Sequence, residues 1–192
     1  MRDDAYDTPR GAGTVEAGTA SNIAPLKSLK DFKVADGDPD VRGWKVISRD
    51  GREIGKVHDL LVDTSAMRVR YLDVDLDHDL LRSVPSLPGT SGPVLGRDHH
   101  VLIPIGYAQL DEDHDRIHME HMDSHDVAVL PTYDHNAFNR EYETGLRRRF
   151  DRDYTPATPS STDRDFYTGE LYDDSRFYGP RRKRRGLFGG GR

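Results

Sequence analysis

Four histidines, His114, His118, His121 and His125, stand among Asp and Glu between positions 111 and 126. Imidazole and carboxylate together are ligands for Zn²⁺ or another divalent ion. The 4-3-4 spacing would line one face of a helix. Arg116 to Met122 instead alternates like a strand, which sends His118 and His121 to opposite faces. Because imidazole titrates near neutral pH, the cluster also suits a pH-sensitive or proton-relaying surface. The simplest reading is a solvated surface. A second set is Asp73, Asp75 and Asp77, with Asp79 just beyond. Carboxylates hold hard cations such as Ca²⁺, but strand residues two apart lie roughly 6.5–7 Å from one another. That is a line and not a cradle, so a solvated strand face is expected there. The third set is the basic run Arg181, Arg182, Lys183, Arg184 and Arg185, followed by Leu187 and Phe188. Such a run can lie on an anionic membrane leaflet, at about 1 kcal/mol per basic residue. It can also contact nucleic-acid phosphates, fold back on an acidic body, or simply keep a tail soluble. Arg147-Arg148-Arg149 adds a smaller patch.

Nothing in the chain assembles a catalytic constellation. It has no Gly-rich phosphate loop ahead of a helix, no Gly-x-Ser-x-Gly elbow and no His-Glu-x-x-His. It also has no cysteine, which removes thiolate nucleophiles, thiolate metal sites and disulfides. The expectation is a protein that is not an enzyme and carries no cofactor. Residues 1–24 are Gly-, Ala- and Asp-rich with no apolar run, so no secretory leader or membrane span is expected in them. A cytoplasmic protein, peripheral to the inner membrane at most, is the expected location.

The elements that must carry these residues centre on Asp40 to Leu76. This stretch reads as three strands joined by two tight turns. Asp50-Gly51 supplies the positive φ values of a hairpin turn, and Thr64-Ser65-Ala66-Met67 marks the next reversal. From Arg68 onward Val69, Tyr71, Val74 and Leu76 alternate with acids, with an apolar slip at Leu72; a period of two is that of a half-buried strand. Hydrophobic residues are 34% of the 192 against 32% charged, so a core is possible only where they concentrate, between about Leu26 and Leu130. Residues 78–99 read as a long loop. Val101 to Leu110 is the most apolar run, and Pro104 requires a bend, bulge or edge because it has no N–H to donate. Asp123 or Ser124 is a cap for a short helix ending at Pro131. Phe138, Tyr142 and Leu146 fall four apart on an amphipathic helix. Beyond Phe150 the chain is polar, with spaced Pro, Gly, Phe and Tyr, and reads as a tail. The charge is divided: from Ser175 onward there are seven basic residues and no acid, whereas the remainder holds 21 basic against 34 acidic residues.

An ordered motif set gives the chain a family likeness. Gly37-Asp38-Pro39-Asp40-Val41-Arg42-Gly43, Asp50-Gly51, Gly55-Lys56-Val57, Asp59-Leu60, Val62-Asp63, Arg70-Tyr71-Leu72-Asp73-Val74 and Leu102-Ile103-Pro104-Ile105-Gly106-Tyr107-Ala108 follow the order of a PRC-barrel domain. More narrowly, residues 25–135 resemble the cytoplasmic domain of the H subunit of the photosynthetic reaction centre. The resemblance implies a mainly β fold: a small, mostly antiparallel β-barrel of about six strands, closed on itself, with short helices after it. The expected organisation is a disordered segment 1–24, the barrel over 25–135, an amphipathic helix over 136–150, and a disordered tail 151–192 with a basic end. The barrel would dock onto a protein or membrane-associated partner, with Arg181 to Arg185 as partner-binding residues; a homodimer is a further arrangement open to it. Two other roles follow. One is H-subunit-like service in light-driven electron transfer and proton delivery, although residues 1–24 lack that subunit's membrane helix. The other is association with nucleic acid through the Arg-rich end; PRC barrels also occur alone in bacteria, often as stress proteins. A fold by itself does not fix function.

Overall fold

The computed structural model describes residues 22–83, 99–155 and 163–179. Seven strands form one sheet: β1 (Ile23–Pro25), β2 (Lys45–Ser48), β3 (Glu53–Asp63), β4 (Arg68–Leu76), β5 (His100–Pro104), β6 (Gln109–Asp111) and β7 (Arg116–Met119). Among the described residues five short α-helices accompany them: α1 (His78–Ser83), α2 (Ser124–Ala128), α3 (Arg140–Phe150), α4 (Asp163–Phe166) and α5 (Asp174–Tyr178). The strand order is β5-β4-β3-β2-β7-β6, and β1 pairs with β3 off that path.

The mostly antiparallel β class holds, with three differences in detail. The strands number seven, and β2 and β7 run parallel. Nor does the ladder close: among the described residues nothing pairs β5 with β6. At the β5 edge the strand ends at Pro104, and Thr132 bridges to Val101 there. Strand β3 is long enough for two neighbours in succession on one side. Its first half pairs with β2 and its second half with β1, while β4 runs along the other side. Ile23 and Ala24, expected in a disordered segment, are therefore part of the sheet, because they satisfy backbone groups that β2 leaves open.

Turn chemistry sets the register. Gly51 has φ 79° and closes the first hairpin, with its N–H donating to the Ser48 carbonyl at 2.9 Å. The Asp63 carboxylate accepts from the N–H groups of Ser65 and Ala66 at 3.1 and 2.9 Å, which builds the second reversal. At Gly55 the strands approach so closely that a Cβ would stand 2.1 Å from the Asp75 carbonyl oxygen. Asp50 does more than turn the chain. Its carboxylate accepts from Ser124 N–H at 3.0 Å and Ser124 Oγ at 2.8 Å, so the hairpin caps α2. Ser48 and Ser124 hold its carboxyl down to about 2, below the ordinary 3.8. A depressed folded-state value means that this contribution to stability is complete above about pH 4 and is lost as the pH falls towards 2. Asp50→Asn is expected to lower the melting temperature at pH 6, with the difference from wild type vanishing near pH 2 in a thermal-melt series.

One face of the sheet forms a continuous core that includes Val46, Val57, Leu60, Leu72, Val74, Val101, Ile103 and Ile117, all buried. The other face of β3 and β4 was expected to meet solvent, but it is covered. In β3 the extra residue His58 is a bulge, so Asp59 pairs with Asp73 and Leu61 with Tyr71 on this outer face. Above them lie Tyr133, Phe138, α3 and the segment 163–179, whose Phe166, Tyr167, Tyr172 and Phe177 are all buried. That segment, read from the sequence as tail, is a second packed layer because its aromatics find an apolar sheet face. Residues 78–83, expected in a loop, form α1 because Leu80 and Leu81 turn into the core. The expected helix after the barrel is α3, capped by Asn139, whose side chain accepts from Tyr142 N–H at 2.9 Å. The N-terminal residues 1–21, most of the expected loop, and the Arg181–Arg185 run lie outside the described residues.

Candidate functional site

Two polar clusters occupy the covered outer face. The first is built on Glu143, which α3 carries on the same side as Leu146. Its side chain is 0% exposed. The Tyr71 hydroxyl lies 3.0 Å from its Oε1 and the Tyr167 hydroxyl also donates to that oxygen; Tyr71 is bonded in turn to the Tyr172 hydroxyl at 3.2 Å. Arg140 stands 3.2 Å from Oε2. Cations roof the rings: Arg140 lies 4.1 Å from the Phe166 ring centre, Arg70 lies 4.8 Å from that of Tyr167, and Arg147 lies 4.0 Å from that of Tyr154. Burial, with the Glu143 charge beside them, pushes the Tyr71 and Tyr167 phenols well above their usual range. These hydroxyls keep their protons at any physiological pH and act as fixed donors. Chemically the cluster is a clasp: it ties β4, α3 and the 163–179 segment together.

The second cluster is acidic. Asp59 and Asp73 are cross-strand partners, 0% and 4% exposed. The Asp73 Oδ1 is 2.7 Å from His100 Nδ1. The His100 ring meets His58 edge-on at 4.6 Å between centres, and Lys27 Nζ is 2.6 Å from His58 Nε2. Asp59 is less well served. Its Oδ2 accepts from Lys27 N–H at 3.3 Å, and its buried Oδ1 has no hydrogen-bond partner. Burial, then Asp73 and Asp59, drive the nearby Tyr133 phenol up, and burial lowers His99. Two buried carboxyl groups facing each other with one oxygen unserved is an unfavourable arrangement. Asp59→Asn is expected to stabilise the protein by about 1–2 kcal/mol in urea unfolding, since the amide keeps the Lys27 bond and offers Asp73 a donor. A lower urea midpoint would show that the charge is matched by Arg42, which lies close enough to feel it.

The residues singled out in the sequence are dispersed. Asp73 is buried in this cluster, Asp75 is half-buried and Asp77 is exposed beyond the strand end, so the three do not share one solvated face. The cause is the layer laid over β4. His114 and His118 converge on Asp111, at 3.0 and 3.5 Å, and they hold its carboxyl below the usual range. His121 turns away to the Tyr107 ring at 5.8 Å, and His125 is exposed on α2. Among the described residues no three His, Asp or Glu side chains stand where they could hold one metal ion. Also among them, no helix is long and apolar enough to cross a membrane. Glu143 and Asp59 were not singled out in the sequence. A signal for Glu143 existed in its position between Tyr142 and Leu146 on the apolar side of a helix; for Asp59 none did, because the bulge at His58 decides which way it points. Residues 34–125 match the family model of the PRC-barrel domain.

Proposed function

Because residues 34–125 are a PRC-barrel domain, we propose that this protein is a non-catalytic binding and assembly module that docks onto a protein or membrane-associated partner. The family match carries the reading. The chemistry of the site supports it: the phenols and Glu143, where buried acid–base groups are densest, are spent on one another as structure. What is left to the outside is surface. The basic run Arg181 to Arg185 follows Gly179 by two positions and supplies a charged arm for the same partner. The test is affinity purification with chemical cross-linking, using the full chain and a chain ending at Gly179. A stoichiometric partner is expected with the full chain, weakened by removing the arm. Absence of any partner, together with turnover of a small molecule by the purified protein, overturns the reading. Recovery of reaction-centre polypeptides would specify a photosynthetic partner, and a gel shift lost on deleting 181–185 would specify nucleic acid.

A further inference from the structure

A groove of about 440 Å³ opens between the Tyr107 turn, α2 and the C-terminal end of α3. Its lining is more polar than apolar, with Tyr107, Met122, Val129, Leu130 and Phe150 supplying the carbon surface. Arg148, Arg149 and Arg152 stand at its rim, all exposed. Several arginines elsewhere in this acid-rich molecule are paired with carboxylates: Arg49 with Asp123, Arg68 with Asp174, Arg70 with Asp63 and Arg176 with Glu170. The three rim arginines reach no carboxylate among the described residues. The helix dipole accounts for some preference for cations at this end of α3, but it does not explain why Arg152, beyond the helix, joins them. Asp126 is the acid lining the groove.

We propose that this groove binds an acidic segment of a partner protein, one that sets carboxylates against the three guanidiniums and an apolar side chain against the Val129, Leu130 and Phe150 part of the lining. The inference rests on the binding-module reading and names the partner's chemistry. Arginine clusters recognise acidic motifs through charge-assisted, often bidentate hydrogen bonds. Concavity argues against a lipid surface, since a flat leaflet touches the rim and leaves the floor empty. It is also a poor base-stacking site. Tyr107 and Phe150 pack edge-to-face on each other at 4.7 Å, and His121 takes a second approach to Tyr107, so neither ring stands alone as a platform. The adjoining groove shares Tyr107, His121 and Phe150, and Gly179 lies in its wall.

The test uses the full chain and a fluorescein-labelled synthetic peptide with Leu-Phe flanked by glutamates, read by fluorescence anisotropy. Binding is expected, weakening with added salt, and absent for the same peptide with Gln for Glu. The R148E/R149E/R152E variant should lose about tenfold or more in affinity, roughly 1.4 kcal/mol. Val129→Glu, which keeps the arginines, should weaken binding as well, with circular dichroism confirming that both variants fold. Equal affinity of the triple variant and wild type overturns the proposal. So does failure of the peptide to bind while phosphatidylglycerol vesicles or a single-stranded oligonucleotide do bind. A cross-linked partner retained by the triple variant sinks the groove and leaves the binding-module reading standing.

Discussion

Glu143→Ala is expected to cost about 4 kcal/mol of unfolding free energy, a large part of the stability of a domain this size. The side chain is fully buried and its Oε1 accepts from two phenols, Tyr71 and Tyr167. Removing it leaves the Tyr167 hydroxyl buried without its acceptor, at about 1–3 kcal/mol before relaxation, and leaves Tyr71 with only the Tyr172 oxygen. It also takes away the carboxylate 3.2 Å from Arg140, a smaller loss because that side chain is 39% exposed and water can serve it. Glu143→Gln keeps an acceptor oxygen and should lose about half as much. The phenols cannot compensate by ionising, because burial has placed that transition far above neutral pH. Chemical denaturation of the three proteins checks the order: wild type most stable, Gln intermediate, Ala least. Equal midpoints for Ala and wild type would mean that the clasp holds nothing together.

Much of the sheet could be read from residue order, and the reasons are local. Asp50-Gly51 needs only its own φ values to turn the chain, and the β-branched run on either side has no competing helical period. Pro104 marks the end of β5 at the sheet edge through its missing N–H. The second layer was hidden for a physical reason. Phe166, Tyr167, Tyr172 and Phe177 sit in a polar segment at spacings that match neither a helix nor a strand, because short turns aim them one by one. Periodicity finds faces, and this segment has none. That omission spread to the site. With no cover foreseen, Asp73 had to read as solvated, and nothing drew attention to Glu143. The bulge at His58 is equally silent, since no residue type demands it there. The histidines stand in different neighbourhoods: His114 and His118 meet at Asp111, whereas His121 turns to the Tyr107 ring.

Gly106→Val is expected to strip the 163–179 layer from the sheet while leaving the sheet folded. Gly106 lies in the turn after β5, and a Cβ there would stand 1.9 Å from the Glu170 carbonyl oxygen and 3.0 Å from the carbonyl carbons of Glu170 and Leu171. These are backbone atoms, so no rotamer change relieves the overlap. Either the turn shifts, with overpacking costs of about 1–3 kcal/mol, or the segment leaves. Departure exposes Phe166, Tyr167, Tyr172 and Phe177, each buried in the native protein. Hydrogen exchange should then lose protection over 163–179 and keep it in β3 and β4, and limited proteolysis should cut within the released segment. The two substitutions must also couple. Once Tyr167 and Tyr172 have gone, Glu143 holds fewer donors, so Glu143→Ala should cost less in the Gly106→Val background than in wild type, by roughly 1–2 kcal/mol. Strict additivity, or unchanged protection at 163–179, would show that the contact at Gly106 does not seat this layer; the measured coupling would show that one glycine governs whether the buried clasp is assembled.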